Sequence, residues 1–277
     1  MSEIKIAGVQ MDIKLADRQT NLHAMRERLA EATQQGARLT VFPECSISGY
    51  CFETLQEASE VAEPAEGDSF QAVLKMCQEF RTMVVYGFLE SAGEQVYNSL
   101  LLVGPTGVLG RYRKIHLPFL GVDRFTTSGT EPNAVFATPD MKVGMNICYD
   151  ISFPEASRCL TLGGADLIVL PTNWPKSSGL VADVIPNCRA LENHVYFMSV
   201  NRVGVERDIP FIGKSKIIDP SGKNLAFADH ADEVILYAEI DPARARQKHL
   251  VNIPGVHEVH RINDRHPEHY GAISRLR

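Results

Sequence analysis

The chain has no run of apolar residues approaching the roughly 18 needed to cross a bilayer. It does not open on a basic stretch followed by a long apolar one either, because Met1 to Met11 passes directly into an apolar alternation. The expectation is a cytoplasmic protein. Basic residues are in deficit, with 28 Lys and Arg against 34 Asp and Glu and a formal net charge of −6. That balance leaves no electrostatic footprint for nucleic acid or an acidic membrane surface. The expected partners are a small molecule and further copies of the chain. Cys45, Cys51, Cys77, Cys148, Cys159 and Cys188 include no C-x-x-C pair, so neither a zinc ribbon nor a redox motif is indicated. A chain of 277 residues without an export signal needs no disulfides, and all six are expected as free thiols. A fixed-period repeat, a low-complexity run and a linker are also missing, which predicts one domain over residues 1–277.

What the sequence does hold is a succession of short strands and amphipathic helices. Ile4 to Met11 reads as a strand, and Arg18 to Gln35 as a helix with Leu22, Met25, Leu29 and Ala32 on one stripe. Leu39 to Phe42 is a second strand, completing a βαβ unit that favours a layered fold. Glu57 to Asp68, acidic and polar, reads as a surface excursion. Phe70 to Phe80 marks a helix, Met83 to Leu89 a strand, and Gly104-Pro105-Thr106-Gly107 the turn of a hairpin. His116 to Pro132 is a long loop. Further on, Pro186 predicts that the helix ending near Asn193 kinks or starts late. Residues 254–277 are polar and basic, with no core pattern.

Met141 to Glu155 carries the reactive candidate. Val143, Met145 and Ile147 alternate with Gly144, Asn146 and Cys148, the period of a strand that ends at the cysteine. Ser152 and Glu155 match an S-x-x-E capping box with Pro154 in the first turn, so a helix is predicted just beyond. A thiol on such an elbow lies near the positive end of a helix, which lowers thiol pKa. Free cysteines are more often simply buried, so the weight falls on the companions. Glu44 follows Val41-Phe42-Pro43 and Lys114 precedes Ile115-His116-Leu117-Pro118, so both fall at predicted strand ends beside apolar residues. Residues past strand carboxyl ends line a common crevice in layered α/β folds. A carboxylate there can accept a thiol proton, and a cation can stabilise the oxyanion formed on attack. His116, two residues beyond Lys114, is a rival base.

Phe42-Pro43-Glu44, then Gly110 to Leu117, then Asn146 to Asp150 with Phe153-Pro154-Glu155, resemble in order and spacing the three signature blocks of the nitrilase (carbon–nitrogen hydrolase) superfamily. Arg189 to Asn193, Asn201 to Gly204 and Ser215 to Gly222 resemble further blocks. The resemblance implies an α/β fold, a four-layer α-β-β-α sandwich with two mixed β-sheets, and neither metal nor organic cofactor. It implies Glu44 as general base and Cys148 as a nucleophile that forms a thioester. Lys114 and the backbone N–H of Tyr149 would stabilise the oxyanion. The implied substrate is a small-molecule amide, and the implied assembly a homodimer or higher homo-oligomer, with 254–277 a C-terminal tail on a partner subunit.

Some members of that superfamily place a second glutamate after the lysine. Asp123, one methylene shorter, is the candidate here, unless it is a loop aspartate paired with Arg124. Members acting on carbamoyl or ω-amido acids carry an arginine soon after the cysteine to clamp the substrate carboxylate. This chain has Ile151-Ser152-Phe153 there, leaving Arg124 or Arg202 to bind an acid from elsewhere. Tyr50, Phe119, Asn173 and Trp174 are candidate pocket residues. Cys148-Tyr149-Asp150 resembles the amidase-like branches more than the Cys-Trp-Glu of true nitrilases, which favours an amide. Nitrile hydrolysis, N-carbamoyl amine hydrolysis and acyl transfer to an amine would use the same residues.

Overall fold

The βαβ unit at the start is formed in the computed structural model, which describes residues 3–275. Met1, Ser2, Leu276 and Arg277, at the ends of the expected domain and tail, lie outside the described residues. Strand β1 (Ile4–Gln10), helix α1 (Arg18–Gln34) and strand β2 (Leu39–Val41) place β1 and β2 in parallel. Strand β3 (Met83–Ala92) continues the parallel run, and β4 (Gln95–Gly104) and β5 (Gly107–Arg113) add the hairpin. The second half repeats this plan with β6 (Val135–Ala137), β7 (Lys142–Met145), β8 (Leu167–Thr172) and β9 (Tyr196–Asn201). After a small pair, β10 (Val205–Glu206) and β11 (Ile209–Pro210), come β12 (Lys216–Ile218), β13 (Asn224–Phe227) and β14 (Val234–Ile240). The two sheets run β14-β1-β2-β3-β4-β5 and β13-β12-β9-β8-β7-β6. Each has a parallel centre and antiparallel flanks.

Period-two alternation explains how the sheets stack. Val85, Leu100 and Leu102 of the first sheet join Val143, Met145, Leu167 and Val169 of the second in one buried cluster. Their strand neighbours Val84, Tyr86, Leu101 and Val103 turn the other way, onto Met25 and Leu29 of α1 and onto Phe70, Val73 and Cys77. The last three belong to α3 (Asp68–Phe80), which follows the short α2 (Leu55–Val61). Helices α4 (Pro154–Leu162) and α5 (Gly179–Asn193) cover the second sheet. Burying each large apolar side chain contributes about 1.5–3 kcal/mol, so both faces of both sheets are held. The architecture is the four-layer α-β-β-α sandwich with two mixed sheets. Among the described residues, no helix is long and apolar enough to cross a membrane.

Three local details add to the sequence reading. The acidic stretch after Thr54 is helical at α2, because Thr54 Oγ1 accepts the Glu57 N–H at 3.1 Å and caps it. Helix α5 runs through Pro186 without a late start. Proline removes one hydrogen bond there, and the buried face formed with Ala182, Arg189 and Ala190 holds the helix together. Beyond α6 (Pro242–Arg246) the chain makes a hairpin of β15 (His249–Ile253) and β16 (His257–His260), so the tail is partly ordered despite lacking a core pattern.

Candidate active site

The segments after three strands bring the candidate residues Glu44, Lys114 and Cys148 into place. Past β2, the Phe42 N–H donates to the Val85 carbonyl at 2.8 Å, and Glu44 follows against β3. That approach requires Gly87, where an added Cβ would lie 2.3 Å from the Cys45 nitrogen. Lys114 extends β5, its N–H donating to the Asn98 carbonyl of β4 at 2.9 Å. Strand β7 stops at Met145, short of the predicted end at Cys148, and Cys148 to Ser152 form a 3₁₀ turn. The reason is Asp150, whose Oδ2 accepts the Ile147 N–H at 2.8 Å while its own N–H donates to the Ile147 carbonyl at 2.9 Å. The predicted Ser152–Glu155 capping box is therefore not formed, since Ser152 belongs to this turn and Phe153 precedes α4. Cys148 has a φ of +43°, a left-handed backbone rare outside glycine.

At the centre, Lys114 Nζ donates to Glu44 Oε1 at 2.7 Å and also to Asp123 Oδ2. All three side chains are inaccessible to solvent. Asn98 Nδ2 bridges the carboxylates, at 2.7 Å from Glu44 Oε1 and 2.9 Å from Asp123 Oδ1. Tyr50 donates its hydroxyl to Asp123 Oδ2 at 2.7 Å. Glu44 Oε2 is buried with no hydrogen-bond partner. Burial, opposed by Lys114 and reinforced by Asp123, raises the Glu44 carboxyl above the usual 4.5. Burial also works against the Lys114 charge, but Asp123 and Glu44 outweigh it and hold the ammonium well above its ordinary value. The Cys148 thiol corrects the expectation of a lowered pKa. Burial, with the Glu44 charge, pushes it well up, against the opposing pull of Lys114 and the Asn173 backbone N–H.

Beside Cys148 is a cavity of about 170 Å3, walled by residues that include Tyr50, Leu120, Tyr149, Ile151, Asn173 and Trp174. Asn173 is buried, donates through Nδ2 to the Glu44 carbonyl at 3.2 Å, and leaves Oδ1 without a partner. The Tyr149 ring is half-exposed and packs edge-on to Phe153. Phe119 is not part of this wall. Its ring is 89% exposed and borders a separate surface depression with Arg124 and Arg207, while its neighbours Pro118 and Leu120 line the cavity.

Residues 5–249 match the sequence profile of the carbon–nitrogen hydrolase family. The chain belongs to this family. A protein named nitrilase from Pyrococcus abyssi is 38% identical over 271 residues, covering 96% of this chain and 99% of the relative. A protein named (R)-stereoselective amidase from a Pseudomonas species is 34% identical, covering 86% and 85%. The crystal structure of a carbon–nitrogen hydrolase from Helicobacter pylori G27 superposes with a TM-score of 0.86 at 24% identity, over 99% of both chains.

Around the core of this carbon–nitrogen hydrolase lie residues that sequence reasoning missed. Asn98 sits with Ser99 in an otherwise apolar, buried strand, and that polar interruption of β4 is the signal that could have found it. Asp150 accepts from the Tyr112 hydroxyl at 2.8 Å and pairs with His116 Nδ1 at 2.7 Å. His116, the rival base, is thus engaged with Asp150 and stacked on Phe153 at 3.8 Å between ring centroids. Arg189 supports the elbow by donating twice to the Ile151 carbonyl, at 3.2 and 3.0 Å. Arg202 is fully buried and engaged by Glu206 at 2.5 Å and the Ile13 carbonyl at 2.6 Å, so it is closed to substrate. Asp123 faces Lys114, while Arg124 donates to the Phe52 and Gly121 carbonyls.

Proposed function

We propose that this carbon–nitrogen hydrolase cleaves a small amide through a thioester on Cys148. The observation that carries the reading is Glu44 Oε2, a buried carboxylate oxygen without a partner on a residue whose other oxygen is fixed by Lys114 and Asn98. A thiol held protonated by burial needs a base, and a carboxyl raised toward neutrality is suited to that work. In this mechanism Cys148 gives its proton to Glu44 Oε2 as Sγ bonds to the substrate carbonyl carbon. Lys114 and the Tyr149 N–H stabilise the resulting oxyanion. The C–N bond then breaks, Glu44 returns the proton to the departing ammonia or amine, and the acyl group stays on sulfur. Glu44 next takes a proton from water as its oxygen attacks the thioester, and the acid leaves as Cys148 recovers its proton.

Asn173 Oδ1 favours an amide over a nitrile, since it is an unused acceptor at the cavity wall and only an amide nitrogen has hydrogens to donate to it. Tyr50 supports the site from its bond to Asp123, and Trp174 shapes the wall. Mass spectrometry of the intact chain, quenched in acid during turnover of an amide, is expected to show one acyl group on Cys148 together with released ammonia. A Cys148→Ala chain should show neither. Ammonia release without any adduct, or from the alanine variant, would sink the mechanism. Product analysis with an added amine separates hydrolysis from acyl transfer.

The same reading takes the enzyme as cytoplasmic, in keeping with free, exposed Cys159 and Cys188. It also takes the chain as one domain that forms a homodimer or higher homo-oligomer, with residues 254–277 against a partner subunit. Apolar surface at Leu180, Val256 and Ile273, which are 76%, 79% and 66% exposed, supports assembly. Light scattering on the whole chain and on one ending at Gly255 tests this, and equal masses with full activity would set the tail's part aside.

A further inference from the structure

We infer that the acyl group accepted beside Cys148 is uncharged and about as large as a benzene ring, with Val181 a residue that sets this preference. The inference rests on the amide-hydrolysis reading above. The cavity of about 170 Å3 is walled by Leu120, Ile151, Trp174 and Val181, with Ser152, Ser178 and Asn173 as its small polar groups. A cavity of about 150 Å3 admits benzene, so a branched five- or six-carbon acyl chain fills this one. No arginine, lysine or histidine is in its wall, among the described residues.

The nearby cations are already committed. Arg124 donates to the Phe52 carbonyl at 2.8 Å and the Gly121 carbonyl at 3.0 Å, and borders the depression on the far side of Leu120. Arg202 is sealed in its pair with Glu206. Lys114 serves two carboxylates, Glu44 and Asp123, so the catalytic core holds two potential negative charges for one positive. A carboxylate on the acyl chain would shed its hydration, find no counter-charge and face that excess. A cationic chain fares no better, since no acidic side chain is in the cavity wall. Apolar walls with no ionic partner therefore select a neutral group.

The test compares two amides of one shape. 4-Methylpentanamide ends in an isopropyl group where succinamate ends in a carboxylate. Ammonia release by the whole chain is expected to give a kcat/KM for the neutral amide about a hundredfold or more above that for the acid. Val181→Arg, which adds a cation at the wall from the first turn of α5, should narrow or reverse that ratio while the acyl adduct still forms on Cys148. Wild-type turnover of succinamate equal to or faster than that of its neutral isostere, with adducts on Cys148 from both, overturns this inference and leaves the amidase reading standing. Absence of any adduct and any ammonia from both amides overturns the amidase reading, and this inference with it.

Discussion

Asn98 Nδ2 lies 2.7 Å from Glu44 Oε1, a bond between residues 54 positions apart that fixes which carboxylate oxygen is held and which is free. The same nitrogen donates to Asp123, so one neutral amide separates two acids. Asn98→Leu keeps the approximate volume and removes both bonds. Glu44 then loses a donor that favours its charged form, and its pKa climbs further. The acidic limb of the kcat/KM profile should move to higher pH, with a loss of about 10–100-fold near neutrality, the worth of one hydrogen bond to a charged group. A pH–rate profile with an unmoved acidic limb would argue against this role.

Asp123→Asn should move the same limb the other way. The Asp123 charge raises Glu44, so removing it lets the Glu44 pKa fall toward its ordinary value. Lys114 loses one of its two carboxylate partners, which is expected to cost about 1–3 kcal/mol of stability. The sign of the pH effect on stability follows from the raised Lys114. Its contribution is complete below the unfolded lysine value and lost as pH rises through the higher folded one. Denaturant unfolding between neutral and alkaline pH should therefore show a weaker alkaline loss in the variant.

The positive φ of Cys148 predicts a stability difference between two inactive variants. Alanine and glycine both remove the thiol, but only alanine keeps a Cβ in the left-handed conformation. Cys148→Gly should be more stable than Cys148→Ala by about 1 kcal/mol, measured by denaturant unfolding. The reverse order would mean that the elbow stores no strain.

The parts of this site that could be read from sequence are those marked by local pattern. Glu44, Lys114 and Cys148 each stand where an apolar run breaks, so their placement at strand ends follows from periodicity and turn chemistry. The elbow's internal geometry was less legible, because two capping signals compete between Ile147 and Glu155. Asp150, fixed by Tyr112 and His116 from a distant strand end, wins over Ser152. Thr54 shows the converse, since its cap was hidden by acidic composition. Asn98 takes its role from Glu44 and Asp123, 54 and 25 positions away, and Arg202 is sealed in part by the Ile13 carbonyl, 189 positions away, so no short window of sequence contains those partners. Phe119 was misread because an aromatic in a functional loop signals contact whether it faces the cavity or the solvent.

The buried bond from Lys114 to Glu44 spans 70 residues of chain. On the mechanism proposed above, Cys148 has its base and oxyanion partner beside it only where the two sheets are stacked, since Glu44 and Lys114 follow strands of one sheet and Cys148 follows a strand of the other. Turnover is then expected to depend on contacts between residues far apart in sequence rather than on the thiol alone. Loosening the sheet-to-sheet interface is therefore expected to abolish amide turnover even in a chain whose Cys148 is chemically intact.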